Sequence, residues 1–213
     1  VTTFDYISDR LGEYYGSRIR EHGATHWGAD WNSRESQELR FDQLLKAAPV
    51  PDGQPLPVID YGCGYGALVG YLDTCGVPFR YSGYDVCEEA LAVARRTYGQ
   101  RSDCTFTSSA ADLEPADLTV ASGIFNHRFD VSDEEYTAHV LETIDEMARL
   151  SRCALAFNML TRYSDADRMR DDLYYGDPCF FFDYCKRNLS RHVALLHDYG
   201  LYEYTIIVRL ERD

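Results

Sequence analysis

Positive charge is scarce in this sequence relative to negative charge. Twenty-one Lys and Arg stand against 35 Asp and Glu, a formal charge of −14. A surface that negative repels phosphate backbones and anionic headgroups, so neither nucleic acid nor membrane is expected as a partner. It tolerates a neutral or cationic small ligand, or serves only to keep the chain in solution. There is no apolar run near 20 residues and no signal-peptide pattern at the start of the sequence. The seven cysteines are odd in number, scattered, and never spaced C-x-x-C, which argues against a disulfide framework and a zinc knuckle. That cysteine usage suits a reducing compartment, and the expected location is cytoplasmic. Internal repeats and low-complexity segments are also missing.

The 213 residues are enough for one domain with a full core and a cleft. After the linker PVPDGQPLP (Pro49–Pro57), strand-like and helix-like runs alternate. Strands are expected at Val58–Tyr61, Phe79–Asp85, Thr105–Ser108, Leu118–Ser122 and Ala154–Met159, with helices at Ala67–Cys75, Cys87–Tyr98 and Asp133–Leu150. The last helix is announced by SDEE at Ser132–Glu135, a capping box, and by Tyr136, Val140, Ile144 and Met147 recurring on one face. Such alternation calls for a parallel sheet with helices on both sides. Two further strands, His192–Leu196 and Tyr202–Leu210, are separated by too little chain for a crossover and should pair antiparallel. Ahead of the first strand lie helical patterns at Phe4–Arg20 and Arg34–Ala48, the second with Asn32 as N-cap and Glu35 three positions on.

The chemistry is signalled by VIDYGCGYGALVGYL, Val58–Leu72. Glycines at a strand-to-helix turn adopt backbone angles closed to other residues and let a ligand approach the main chain. Gly62, Gly64 and Gly66 should therefore floor a ligand site at the carboxyl ends of the strands. Two readings compete. GCGYGA satisfies the dinucleotide pattern G-x-G-x-x-[GA], with Asp85 about 20 residues on. Asp60–Gly66 also fits D-x-G-x-G-x-G. The deciding residue is Asp60, which would repel a pyrophosphate at this helix N-terminus but can accept from an ammonium.

With Asp60, the three glycines and Asp85 at the end of YSGYDV, the chain resembles class I S-adenosylmethionine (SAM)-dependent methyltransferases over essentially its whole length. The resemblance implies a Rossmann-like, doubly wound α/β fold. Its seven-stranded sheet would be mostly parallel with an antiparallel C-terminal strand, in a single domain of a helical cap (1–55) and a catalytic core (56–213). It implies SAM as cofactor and S-adenosylhomocysteine (SAH) as product. Asp60 would meet the ammonium and Asp85 the ribose. Ala111 and Asp112 would meet the adenine, and Ser122, Gly123 and Phe125 would line the methionine end. Gln37 and Arg40 share a helix face, and Arg40 would pair either with the SAM carboxylate or with a surface acid. An HGAT…G-x-DWNS leader, ASGIFN and an LLHDYGL…Y ending are similar to small bacterial methyltransferases of natural-product or glycan metabolism. The remaining rivals are an NAD(P)-binding oxidoreductase and a non-catalytic methyltransferase-like subunit.

Methyl transfer needs alignment first and a base only where the acceptor must lose a proton. His127, directly after the fourth strand, is the first candidate base, with His22 and His26 in the leader behind it. His139, inside the capped helix, is expected to be structural. These histidines and the nearby aspartates match no zinc or facial-triad spacing, so no metal is expected. The long connection Thr161–Pro178 is expected to contribute acceptor contacts through Arg162, Tyr163, Tyr174 and Tyr175, together with Arg128. A small-molecule acceptor and a monomer or homodimer complete the expectation.

Overall fold

A computed structural model describes residues 3–50 and 53–211. Of the linker, Pro51 and Asp52 lie outside the described residues. In chain order the elements are α1 (Thr3–His22), α2 (Arg34–Leu45), β1 (Leu56–Tyr61), α3 (Ala67–Cys75), β2 (Phe79–Tyr84), α4 (Glu88–Tyr98), β3 (Cys104–Thr107), β4 (Ala116–Ala121), α5 (Asp133–Arg149), β5 (Ser151–Leu160), α6 (Pro178–Asn188), β6 (His192–Leu196) and β7 (Glu203–Arg209).

The seven strands form one sheet in the order β3-β2-β1-β4-β5-β7-β6, and β7 runs antiparallel to both of its neighbours. The expected mostly parallel sheet with its antiparallel ending is thus what the chain builds. The order reverses between β1 and β4, and there the crossovers leave to opposite faces and open a crevice at the strand ends.

Both faces of the sheet are covered, because successive residues of the central strands are apolar and point to opposite sides. Ile59, Leu155, Phe157, Ile206 and Val208 pack on one side with α5 and α6. Val58, Leu118, Val120, Ala154 and Ile207 pack on the other with α2 and α3. On α5, Tyr136, Val140, Ile144 and Met147 are all fully buried, and Ser132 caps the helix by accepting from the Glu135 amide at 3.3 Å. Helix α6 starts at Pro178 behind an Asp177 cap, and Phe181 and Cys185 are its buried face.

Several ends shift by one to three residues from the sequence expectation, with β5 beginning at Ser151 and not Ala154 and α2 ending at Leu45 and not Ala48, and one cap is reassigned. The N-cap of α2 is Ser33, not Asn32: Ser33 accepts from the Ser36 amide at 3.1 Å, and the Ser36 hydroxyl accepts from the Ser33 amide at 3.3 Å. Two serines three apart close this reciprocal box themselves. Glu35 instead sits in the first turn, where a negative charge favours the helix dipole.

Candidate active site

At the end of β1 the chain turns through three left-handed glycines, Gly62 (φ +85°), Gly64 (φ +54°) and Gly66 (φ +81°), before entering α3. The turn is fastened to β2. The Gly62 and Cys63 amides donate to the Tyr84 carbonyl, and the Gly64 amide donates to Asp85 Oδ2 at 2.7 Å. The other carboxylate oxygen of Asp85 accepts from the Cys87 amide at 2.8 Å. A carboxylate offers about four lone-pair positions, so about half of Asp85's capacity remains for a ligand. At Gly64 a Cβ would meet nothing within 4 Å, since that side of the loop faces open space.

The open space is a cleft of about 1050 Å³, mouth included. The glycine turn, Asp60, Asp85, Ser122 and Gly123 form its floor. Trp31, Gln37 and Phe41 from the leader also line it, as do Phe4 and Leu11 from α1 and His139 and Thr143 from α5.

Asp60 is buried and accepts from the Tyr81 hydroxyl at 2.7 Å. Burial pushes its carboxyl up to about 7, the Tyr81 hydrogen bond opposing. No Lys or Arg is among the described residues lining the cleft. The floor therefore holds two carboxylates with no cation of the protein's own beside them, a donor set suited to a small cationic ligand that also carries hydroxyls.

The turn after β4 is locked from behind. Gly123 has φ +74°, and its amide donates to Asn158 Oδ1 at 2.7 Å. Asn158 Nδ2 donates to Glu203 Oε2 at 2.8 Å, and Glu203 takes both Nε and Nη2 of Arg40. The Arg40 guanidinium lies 4.0 Å from the Trp31 ring centroid, and Trp31 returns to cover Gly123. Arg40 is thus a buried ion-pair member on the far side of Trp31, outside the cleft wall. A Cβ at Gly123 would stand 2.2 Å from Trp31 Cη2. Gly123→Ala should displace the indole and strain the backbone, lowering stability by about 1–3 kcal/mol. Loss of that wall should also weaken ligand binding, and thermal unfolding with calorimetry checks both effects. A wild-type melting curve in the variant would refute the contact.

The other sequence-derived residues scatter. His127 is buried away from the cleft, with Nε2 3.4 Å from Asp30 Oδ2 and its ring 4.3 Å from that of Tyr14. It fastens the leader, because Tyr14 also donates to Asp30 at 2.7 Å. Burial works to raise the Asp30 pKa, but the His127 and Tyr14 hydrogen bonds outweigh it and the net shift is downward. His22 and His26 lie on the leader beside Glu21 and Trp27, outside the cleft lining. Ala111 and Asp112 occupy an exposed turn, where Asp112 accepts from Thr107 at 3.0 Å. Phe125 faces the core against Phe157, and its neighbour Ile124 lines the cleft instead.

The acceptor candidates are engaged elsewhere. Arg128 pairs with Asp133 at 3.1 Å and Arg162 with Asp177 at 2.7 Å. Tyr174 is buried against Thr137, Tyr175 accepts from the Arg170 amide, and Tyr163 is exposed near His197. The 161–178 connection folds against the β4–α5 loop through a bridge between His127 and Leu173. The sequence reading missed Trp31 as a lining residue, and it did not place His139, expected to be structural, on the cleft lining. The available signal for His139 was its spacing: it stands four residues before Thr143 on the flank of the apolar stripe of α5. No group of three His, Cys, Asp or Glu among the described residues could hold a metal.

Comparison with known proteins bears on this geometry. No family model matches the chain. It is 51% identical over 160 residues to the Mycobacterium tuberculosis protein named "Putative methyltransferase Rv1506c", a match spanning 75% of this chain and 96% of the relative. Among solved structures it resembles magnesium protoporphyrin IX methyltransferase from Synechocystis PCC 6803 with bound SAH, at a TM-score of 0.67 and 16% identity, covering 97% of this chain and 99% of that one. It also resembles a SAM-dependent methyltransferase from Aquifex aeolicus, with a TM-score of 0.62, 16% identity, and 92% and 98% of the two chains covered. Sheet order and crevice are those of the class I methyltransferase fold. The chain belongs to the SAM-dependent methyltransferases.

Proposed function

We propose that the cleft binds SAM across the glycine turn and transfers its methyl group to a small-molecule acceptor of the natural-product or glycan type. In this reading Asp60 faces the ammonium, Asp85 accepts from the ribose hydroxyls, and Gly62–Gly66 let the cofactor lie against the main chain. Bound there, SAM supplies an already activated methyl group. The protein's task is to hold the acceptor in line with it and keep water out, worth roughly 7–11 kcal/mol in favourable cases. One observation carries the reading: buried Asp60 faces a cleft whose described lining has no cation. A dinucleotide would bring phosphates to these carboxylates with nothing to neutralise them. We place the protein in the cytoplasm as a monomer or homodimer. Among the described residues no helix is long and apolar enough to cross a membrane.

Calorimetric titration with SAH, using NADH and NADPH as controls, tests the assignment. Binding of SAH alone supports it, nicotinamide binding alone overturns it, and no binding at all points to a non-catalytic subunit.

The Asp60 carboxyl near 7 adds a pH signature. Its folded pKa lies above the unfolded value, so the free protein holds an extra proton between about pH 4 and 7. Leaving the acid charged therefore costs stability as pH rises through 7. An ammonium group placed beside Asp60, which SAH shares with SAM, favours the charged form, so SAH affinity should rise about ten-fold from pH 6 to 8. Asp60→Asn should flatten that profile, weaken binding, and raise the melting temperature of the free protein at pH 8. An unchanged slope in the variant would assign the titration elsewhere.

A further inference from the structure

We propose that the part of the cleft between α1 and α5 is the acceptor subsite, built for an uncharged, largely apolar or aromatic molecule whose nucleophilic hydroxyl or amine hydrogen-bonds to His139. This rests on the methyl-donor reading and narrows its acceptor.

The cleft lining divides by chemistry. Both of its carboxylates, Asp60 and Asp85, belong to the motif floor. The part between α1 and α5 is lined by Phe4, Ser8, Leu11, His139 and Thr143, none of them from the glycine motif and none carrying fixed charge. A phosphate or carboxylate placed there would find no Lys or Arg among the described lining residues, and burying an unpaired charge is strongly unfavourable. Arg128 and Arg162, which sequence position offered for that purpose, are paired with Asp133 and Asp177.

His139 is the polar centre of this part. It is only 8% exposed, lines the cleft, and its Nδ1 has no hydrogen-bond partner. Its ring is held at 5.0 Å from Phe4 and 5.6 Å from Tyr136. Thr143 cannot donate to Nδ1, because its hydroxyl proton goes to the His139 carbonyl at 2.9 Å. A buried ring nitrogen left unpaired in a rigid aromatic frame is the kind of group a ligand completes. Burial lowers the imidazole pKa to about 4, so it is neutral near pH 7 and able to accept.

The step balances with the residues present. As the acceptor oxygen or nitrogen bonds to the methyl carbon, the carbon–sulfur bond breaks and its electron pair stays on sulfur. For a hydroxyl acceptor the proton, made strongly acidic by the new bond, passes to His139 and then to solvent; an amine acceptor keeps its proton as the methylated ammonium and releases it to solvent after leaving the ring. A weak base suffices, since a protonated ether is far more acidic than imidazolium.

The test uses one ring with three charges: 2-naphthol, 2-naphthoate and 2-naphthyl phosphate, titrated calorimetrically into SAH-saturated protein. Naphthol should bind, with both anions about ten-fold weaker or more. His139→Leu should lose about ten-fold in naphthol affinity while SAH affinity stays within about two-fold, and His139→Gln should recover part of the loss. Anions binding as tightly as naphthol, or silence from all three probes, overturns the proposal. So does an equal loss of SAH affinity in His139→Leu, which would assign the ring to the cofactor's site. Should His139→Leu fail to fold, the wild-type comparison and His139→Gln still decide. Failure of SAH to bind wild-type protein would instead refute the donor reading beneath it.

Discussion

Glu203→Ala should be among the most destabilising single substitutions in the chain, at about 3–5 kcal/mol. Glu203 and Arg40 are 2% and 7% exposed, and the carboxylate also holds Asn158 Nδ2 at 2.8 Å. Truncation leaves a guanidinium buried with only the Ser36 carbonyl, at 2.7 Å, and the face of Trp31. The cost is that of an unpaired charge more than of the lost attraction. At roughly 2–4 °C per kcal/mol for a chain of this size, the melting temperature should fall by about 6–20 °C. The double variant Arg40→Met, Glu203→Leu removes both charges and should recover most of the loss. Functionally, the same change frees Asn158, the Gly123 turn and Trp31, so fluorescence of Trp31 should shift with stability. A fall of under about 3 °C would mean that water reaches Arg40 and that the pair is not sealed.

That pair also marks the limit of what the sequence discloses. The glycine turn, Asp60, Asp85 and the strand alternation are local patterns, with periods and spacings that backbone geometry dictates, and they lie in the structure as read. The seven-stranded order follows from them together with the short C-terminal hairpin. Arg40 and Glu203 are 163 positions apart, and no local pattern couples them. The sequence offered Arg40 a cofactor carboxylate or a surface acid. The structure gives it a buried one, because the antiparallel β7 delivers Glu203 beneath α2.

His127 shows the same limit. Its place after β4 was legible, but the leader brings Asp30 to it, and that depends on a left-handed Asp30 (φ +59°) that nothing in its neighbourhood announces. Asn32 lost the cap to Ser33 over a one-residue difference that only the Ser33–Ser36 box resolves. Conversely, the length of the 161–178 connection suggested a wall of the cleft, whereas its backbone is bound to the β4–α5 loop, with the Arg128 and Phe129 amides donating to the Asp172 carbonyl.

Asp85→Ala should abolish measurable SAH binding at micromolar concentrations while leaving the protein folded. Two of the carboxylate's roughly four lone-pair positions are taken by the Gly64 and Cys87 amides, and the remaining ones suit a vicinal pair of ribose hydroxyls. Two hydrogen bonds to a charged acceptor are together worth about 3–6 kcal/mol, or roughly a hundred- to ten-thousand-fold in affinity. The same two amides mean that the free protein will not be indifferent to the change. Its glycine turn loses an anchor at the end of β2, and a melting temperature lower by a few degrees is expected, with water meeting the released amides at the cleft. Asp85→Asn separates the effects. One amide oxygen can keep a backbone contact and hold the turn, but the side chain loses its charge and half of its acceptor positions, so stability should recover more fully than affinity. Calorimetry with SAH beside melting curves without ligand reads the two quantities independently. If Asp85→Ala binds SAH like the wild type, the ribose assignment fails and the acid belongs to the architecture of the turn alone.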